Sequence, residues 1–438
     1  MIQSILILIF ILIHCNTAGA DDTMKLTIEE CIDIGIESNP GLHASLMNSK
    51  SADASASIAN TARFFSINAA ASYAKLSEEK PFEIELPSPL SRTFTFSESI
   101  VDNYNLRLTF QQPIFTGLKL HNTNKMAKYK ANAVREDYNK DKSELIYEIK
   151  ESYWMLYSAI EYKTAVEENV RQVEFHLKDT QNFLDQGIVT KNEVLKVKVQ
   201  LLNTQLLLSE SEKAVKLSSI ALNSLLGFHL DTKIELISVI EYRHDNHIYD
   251  ESLIKQALEN RPELKSMKHL IKASEAGVSL AKSGWYPQIF LAGNFYYLKP
   301  NQRIFPPEEK FEDTWDVGLF ASFDIWNWGK TVHQTKLAKA QYLKTKDFHS
   351  QLIDAVALEV TRNRLEFDQS RDAIDIANQT VEQAEENYRI TNDKFKNGIA
   401  SNSDLLDAEA ALLHARTGLT SALVKHELAY ARLMKSIG

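Results

Sequence analysis

Between Lys330 and Gly438 one hydrophobic period runs without a proline and breaks only once, at Lys396-Asn397-Gly398. Before the break, Val360, Phe367, Ile374, Val381, Tyr388 and Phe395 recur every seven residues. After it, Leu405, Leu412, Leu419 and Leu433 keep the same step with His426 in the fourth slot, and Ala408, Ala415, Ala422 and Ala429 sit three positions later. A file of large side chains beside a file of alanines is the seam of helices that approach closely. The spacing predicts one long helical hairpin turning over at Gly398, an element that few folds can accommodate.

The same pattern occurs earlier in the chain. Gly187 precedes Gly398 by 211 (398 − 187), and Lys119 precedes Lys330 by 211 (330 − 119). Ile149, Leu156, Val170, Leu177 and Leu184 echo the ascending arm, and Val194, Leu201, Leu208, Val215 and Leu222 echo the return; Lys163 is the one misfit. A period this long marks a duplicated domain, since solenoid repeats run to roughly 20–50 residues. From Gly117 to Gly187 is 70 residues (187 − 117). A continuous helix of that length reaches roughly 105 Å, more than a compact domain spans.

Other landmarks are also doubled. Thr27 with Glu30 reads as a capping box opening a helix. Asn39-Pro40 and Arg261-Pro262 stand 222 apart (262 − 40), each proline suited to the first position of a further helix. The offset falls from 222 to 211, so the first half carries eleven extra residues (222 − 211) between Leu76 and Lys119. There Tyr104, Leu106, Leu108 and Phe110 alternate with Asn105, Arg107, Thr109 and Gln111, the period of a strand with one apolar and one polar face. Trp315, Val317, Leu319, Ala321 and Phe323 alternate in the same way in the second half.

The predicted layout is therefore a first repeat over 21–230, a connecting segment over 231–250 and a second repeat over 251–438. The first holds a helix, strands at 66–76 and 103–113 and a hairpin at 117–226; the second holds a helix, strands at 287–298 and 314–325 and a hairpin at 330–438. The connection from Pro81 to Val101 reads as a polar loop, and Lys233 to Ile237 as a short strand. Four strands of about ten residues are long enough to cross a hydrocarbon layer when tilted. Phe115, Tyr286, Tyr296, Tyr297, Trp315, Trp326 and Trp328 gather near their ends, as at a membrane interface; the strands alone read equally as a soluble four-stranded sheet with aromatic cross-strand pairs, and the leader and the repeat favour the membrane. Four strands cannot close a barrel, and lipid tolerates no open edge, so the chain must oligomerise. Two copies would just close a small barrel of about eight strands; three would leave a water-filled pore.

Residues 1–20 resemble a signal peptide: an apolar run from Ile5 to Ile13, then Ala18-Gly19-Ala20 ahead of Asp21, although no basic residue precedes the run. The bulky His14 argues against lipidation of Cys15, because such sites take a small residue there. Removing the leader leaves Cys31 without a partner for an internal disulfide. A formal net charge of −9, with Lys and Arg interspersed among Asp and Glu, argues against a nucleic-acid surface. No His-Glu-x-x-His, Cys-x-x-Cys, glycine-rich phosphate loop or serine elbow occurs, so neither an enzyme nor a cofactor or metal site is expected.

The order helix, strand pair, long helix, glycine turn and shorter helix, given twice behind a leader, resembles the TolC-like outer-membrane efflux proteins. The most specific pieces are the paired tips, Gly187-Ile188-Val189-Thr190-Lys191-Asn192-Glu193-Val194-Leu195 and Gly398-Ile399-Ala400-Ser401-Asn402-Ser403-Asp404-Leu405-Leu406. Gln112-Pro113-Ile114-Phe115 with Gly117 at the strand-to-helix junction supports them. The resemblance implies an α plus transmembrane-β fold: a homotrimer whose strands share one outer-membrane barrel and whose hairpins form a periplasmic tunnel. It further implies a passive exit duct for a tripartite efflux or type I secretion system, with a periplasmic adaptor and an inner-membrane transporter as partners.

By the same resemblance, Asp404 and Asp407, with Glu193 on the first hairpin, line a pore constriction. On spacing alone, Asp404 reads equally as an acidic residue placed at a helix start. Gly187, Ile188, Val189 and Thr190, with Gly398, Ile399, Ala400 and Ser401, are the tip residues an adaptor would grip, and Thr190 and Ser401 are expected to cap the returning helices. Phe395 and Ala400 stand where TolC itself has latch residues, which removes a tyrosine hydroxyl and an arginine and leaves Glu193 without its usual contacts. The competing reading is an exported coiled-coil spacer that tethers two envelope layers and conducts nothing.

Overall fold

The computed structural model describes residues 23–78, 80, 82–85, 87, 89, 93–97, 100–240 and 250–438. The expected leader and Cys15 lie outside the described residues. Eight helices and eight strands occur among those described. The helices are α1 (Ile28–Ser38), α2 (Pro40–Thr61), α3 (Lys119–Asp185), α4 (Lys191–Leu226), α5 (Asp250–Asn260), α6 (Pro262–Lys282), α7 (Lys330–Lys396) and α8 (Asn402–Ile437). The strands are β1 (Met24–Leu26), β2 (Ser66–Lys75), β3 (Phe82–Glu85), β4 (Thr93–Ser97), β5 (Asp102–Phe115), β6 (Ile234–Leu236), β7 (Gln288–Lys299) and β8 (Glu312–Ser322).

The duplication holds to the residue. Helices α3 and α7 each have 67 residues, α4 and α8 each have 36. All four boundaries repeat at 211 (330 − 119, 396 − 185, 402 − 191, 437 − 226). At 1.5 Å per residue the longer helices each extend about 100 Å. Pro40 and Pro262 open α2 and α6, and Thr27 closes its capping box with Glu30 at the start of α1.

The chain divides into two units. One gathers the N-terminal stretch to Asn48, Arg135–Lys265 and Ser350–Gly438. Its core is built from the seven-residue files: Ile149, Tyr153 and Leu156 of α3 pack with Leu222 and Leu226 of α4, Cys31 of α1 and Leu428 of α8. A second cluster joins Leu253 and Leu264 to Val360, Phe367 and Leu433. Burial pushes the Cys31 thiol up to about 12, with Glu30 and Glu29 adding to it, so this cysteine is an inert core residue. His426 is buried in its leucine slot by stacking on Phe367 at 4.9 Å and placing Nδ1 2.9 Å from Ser370 Oγ. Lys163, the misfit, stays half-exposed and pairs with Glu167 at 3.0 Å.

The short strand expected at 233–237 is β6, and its partner β1 carries no periodic signal. They pair in parallel, Met24 opposite Ile234 and Leu26 opposite Leu236. Buried Tyr153 ties this clip to α3, its hydroxyl donating to the Leu26 carbonyl at 3.1 Å and accepting from the Ser238 amide at 2.9 Å.

The other unit comprises Ser49–Val134 and Ser266–His349 and contains a four-stranded antiparallel sheet in the order β2-β5-β7-β8. The central β5–β7 ladder joins the two repeats. Register aligns the faces. Ile67, Phe110 and Val317 share one face with Ala69, Leu108, Phe295 and Trp315, while Asn68, Thr109, Asn294 and Asp316 form a row on the other. The apolar side is open, with Trp315, Val317 and Leu319 each about two-thirds exposed or more. β2 and β8 each have a neighbour on one side only.

Two expectations need correction here. The segment from Pro81 to Val101 is not a plain loop, because β3 and β4 pair within it as an antiparallel hairpin. The last strand ends at Ser322 and not at 325, since its ladder ends where Ser322 pairs with Gln288, the first residue of β7. Ile325, Trp326 and Trp328 are left highly exposed in the connection to α7.

At the strand-to-helix junctions the backbone enters the left-handed region twice in succession: Gly117 and Leu118 (φ 59° and 64°), and 211 residues on Trp328 and Gly329 (φ 53° and 75°). A Cβ on Gly117 would lie 2.6 Å from Tyr286 Cβ and 2.8 Å from the Ser283 carbonyl. Gly117→Ala therefore combines left-handed strain with a clash against backbone and should cost at least about 1 kcal/mol. Chemical unfolding followed by circular dichroism checks this, and an unchanged midpoint would contradict the tight junction.

Candidate functional site at the hairpin tips

Both tips turn by one mechanism. The Gly187 amide donates to the Leu184 carbonyl and that of Ile188 to Phe183, at 2.9 and 2.8 Å; Gly398 and Ile399 do the same to Phe395 and Lys394, also at 2.9 and 2.8 Å. This is the Schellman ending, with glycine in the left-handed position at φ 75° and 71°. Ile188 and Ile399 then project outward, 58% and 76% exposed. Thr190 and Gly187 are exposed beside them, while Val189 and Ala400 are half-buried.

The caps differ. Ser401 forms a full capping box with Asp404: the Asp404 amide donates to Ser401 Oγ at 3.2 Å, and the Ser401 amide donates to Asp404 Oδ2 at 2.9 Å. Donation first from the Ser401 backbone and then from its hydroxyl holds the Asp404 carboxyl below the usual range. Thr190 is the N-cap of α4 but makes no side-chain cap bond, contrary to expectation. The Glu193 amide donates to the Thr190 carbonyl at 3.1 Å instead of to its hydroxyl, and the Glu193 side chain turns elsewhere. Its carboxylate accepts from Lys196 Nζ at 2.9 Å and from Asn402 Nδ2 at 3.2 Å, and these two donors, Lys196 first, hold it below the usual range.

Asn402 is the hub the sequence reading missed. Its Oδ1 lies 2.8 Å from His176 Nε2 and accepts from Thr180 Oγ1 at 3.0 Å, while its Nδ2 reaches Glu193. The other ring nitrogen of His176 lies 3.4 Å from Glu409. Phe395, which stands in place of a latch tyrosine, is buried edge-on between His176 and Phe183, with ring centroids 4.9 and 5.5 Å away. Glu193 thus has a new partner from the second hairpin, and the two tips are joined within one chain by a buried polar and aromatic node. A signal for it exists: Asn402, Glu409 and Arg416 step by seven, as do Asn169 and His176, polar files running beside the apolar seams.

Asp404 and Asp407 are exposed on the same side of α8, and neither joins the node. Among the described residues no group of three or more His, Cys, Asp or Glu side chains is placed to hold a metal ion. The arrangement has no nucleophile or acid–base pair facing a cleft. What it offers is two helix starts, one closed by a capping box, that present carboxylates and two bare isoleucines to their surroundings.

Comparison with known proteins agrees with this architecture. The family model described as outer membrane efflux protein matches residues 32–228 and 253–438, one segment for each repeat. The chain is 23% identical over 182 residues to the probable efflux pump outer membrane protein TtgC of Pseudomonas putida, and 26% over 183 residues to the alkaline protease secretion protein AprF of Pseudomonas aeruginosa. These matches take in 41% and 40% of this chain but only 37% and 36% of the relatives' own lengths. The CmeC outer membrane channel of Campylobacter jejuni superposes with a TM-score of 0.79 at 17% identity, over 94% of this chain and 85% of that one. This likeness establishes the fold.

Replacing Asn402 with Leu removes the Oδ1 partner shared by His176 and Thr180 and one of the two donors to Glu193, and a buried polar group left unpaired costs about 1–3 kcal/mol. Amide hydrogen exchange should rise at both tips in Asn402→Leu and stay unchanged in the β1–β6 clip; equal protection at the tips would rule the node out. Acid should loosen the same region. Glu193 and Asp404 have folded-state pKa values below their unfolded ones, so their stabilisation is complete above the ordinary carboxylate range, about 4, and is lost as the pH falls through the lower folded values. Tip exchange, corrected for its intrinsic pH dependence, should climb on acidification in the native protein and stay flat in Glu193→Gln/Asp404→Asn.

Proposed function

The chain belongs to the outer membrane efflux protein family, and from that premise we propose that it is the outer-membrane duct of a tripartite efflux or type I secretion system, acting as a trimer. The observation that carries this reading is the four-stranded sheet with one apolar face, one polar face and two unpaired edges. Three chains supply twelve strands (3 × 4) to one closed barrel. An eight-stranded barrel from two chains would have an interior just filled by side chains. The polar face carries too much for that: Arg107 donates to Asn294 Oδ1 at 2.9 Å, Asn294 donates to Asp316 at 2.8 Å, Arg303 pairs with Asp316 at 2.9 Å, and Tyr296 lies under both guanidinium groups. A wider, wet lumen accommodates this network.

The helices also call for more than one copy. On α4, Leu195, Val199, Leu202 and Leu206 step by four, three and four residues and are all about half exposed or more, a seam with no partner inside one chain. Leu358, Leu365 and Ile376 of α7 are exposed to a similar degree. Pairing such seams between copies gives a continuous ring of helices. The exported spacer leaves the amphipathic strands without a purpose.

At the tips, Asp404 and Asp407 become six carboxylates under threefold symmetry (3 × 2), with Glu193 behind them, and favour cations at the aperture. Gly187, Ile188, Val189 and Thr190, with Gly398, Ile399, Ala400 and Ser401, are the surface a periplasmic adaptor would grip, Ile188 and Ile399 supplying the apolar contact. An inner-membrane transporter would supply the energy.

Planar-bilayer recording on the detergent-extracted oligomer tests the proposal. The expected result is a trimer that conducts, with cation preference reduced in Asp404→Asn/Asp407→Asn, a pair of changes that keeps the cap acceptor and removes the charge. A protein that neither trimerises nor conducts would return the spacer to favour, and unaltered selectivity in the variant would place the two carboxylates away from the lumen.

A further inference from the structure

The junction between sheet and helices holds a groove that the duct reading does not use. It has a volume of about 450 Å³ and is lined by Lys282, Trp285, Tyr286, Val332, Thr335 and Lys336. Its floor is aromatic and aliphatic, and Trp285 and Tyr286 are each 53% exposed. Its only charges are the two ammonium groups, both exposed, and among the described residues neither has an ion-pair partner. By contrast, Lys299 at the end of β7 and Arg303 and Lys310 in the β7–β8 connection are all paired with carboxylates.

We propose that this groove binds the headgroup of an anionic phospholipid from the periplasmic leaflet, the two lysines taking the phosphate and the Trp285 and Val332 surfaces taking the start of the acyl chains. The assignment rests on the reading of the sheet as a membrane barrel, which sets the depth of the site. Tyr286 lies two residues before β7 begins at Gln288, and the groove's other wall is the first turns of α7, just past the end of β8. Strand ends of a barrel lie at the water–lipid boundary, where tryptophan and tyrosine collect. Trp326 and Trp328, 75% and 85% exposed and in edge-on contact at 5.8 Å, mark the same level.

Charge and shape then select the ligand. A zwitterionic headgroup brings its own cation, which two unpaired ammonium groups repel; a singly charged anionic one meets only attraction. Lysine stems lie along apolar surface while their heads reach the phosphate, so the groove suits an amphiphile better than a free anion.

The test uses the full-length trimer in nanodiscs of phosphatidylcholine with or without phosphatidylglycerol, and reads lipid retained by native mass spectrometry after release. The native protein should retain phosphatidylglycerol over phosphatidylcholine, and Lys282→Gln/Lys336→Gln should lose roughly ten-fold of that preference while its conductance stays unchanged. Equal retention of the two lipids by the native protein overturns the proposal, as does a preference that survives the double substitution. Displacement of the lipid by millimolar inorganic phosphate would make it a phosphate site. Lysines 282 and 336 that resist amine-reactive labelling in the lipid-free trimer would show a neighbouring copy in the groove. A protein that conducts but lacks the preference refutes only this inference; one that fails to insert refutes the barrel as well.

Discussion

Every residue of a strand brings an amide and a carbonyl that hydrocarbon cannot satisfy. In one chain the outer edges of β2 and β8 leave a row of such groups unmet, while the face carrying Trp315, Val317 and Leu319 is fit only for lipid. A single copy is consequently not a viable membrane species. In the proposed trimer the strands drive association, the polar face sets the number of copies, and the helices follow the same symmetry. The exposed leucines of α4 would be a liability in a monomer and are an asset once a ring has formed.

Seven-residue seams by themselves do not fix how two hairpins align along their length. Sliding one by a whole heptad returns leucine to leucine and alanine to alanine at little cost. It would not return Asn402 to His176, Thr180 and Glu193, since those partners occur once each. A buried polar contact that fixes register at some expense in stability is a familiar device in coiled coils. Here it sits next to the turns. His426 against Ser370 is a polar contact of the same kind between the two arms of the second hairpin.

The periodic parts of this chain could be read from sequence because helices and amphipathic strands imprint their geometry on residue spacing. The doubled landmarks at Pro40 and Pro262 and at Gly187 and Gly398 supplied boundaries that propensity alone leaves vague. Strand β1 escaped because three residues carry no period and its partner lies more than two hundred positions away. The β3–β4 hairpin escaped because its polar and proline-rich surroundings read as loop. At the tips, both turns were visible in outline, but the departure of Glu193 from Thr190 was not. It depends on a competing donor, Asn402, brought in by the other half of the chain.

The identical lengths of the paired helices, 67 and 36 residues in each repeat, carry an evolutionary consequence. One inserted residue rotates everything beyond it by about 100° and turns a seam toward solvent. The connection between β2 and β5 has no such memory, and that is where the two repeats drifted apart by eleven residues (222 − 211). Reach can therefore be gained or lost only in steps of about seven residues, roughly 10 Å of rise, and only if both arms of both hairpins change together. A lineage that needed a longer or shorter duct would have to take it in matched quanta, whereas its outward-facing loops are free to vary one residue at a time.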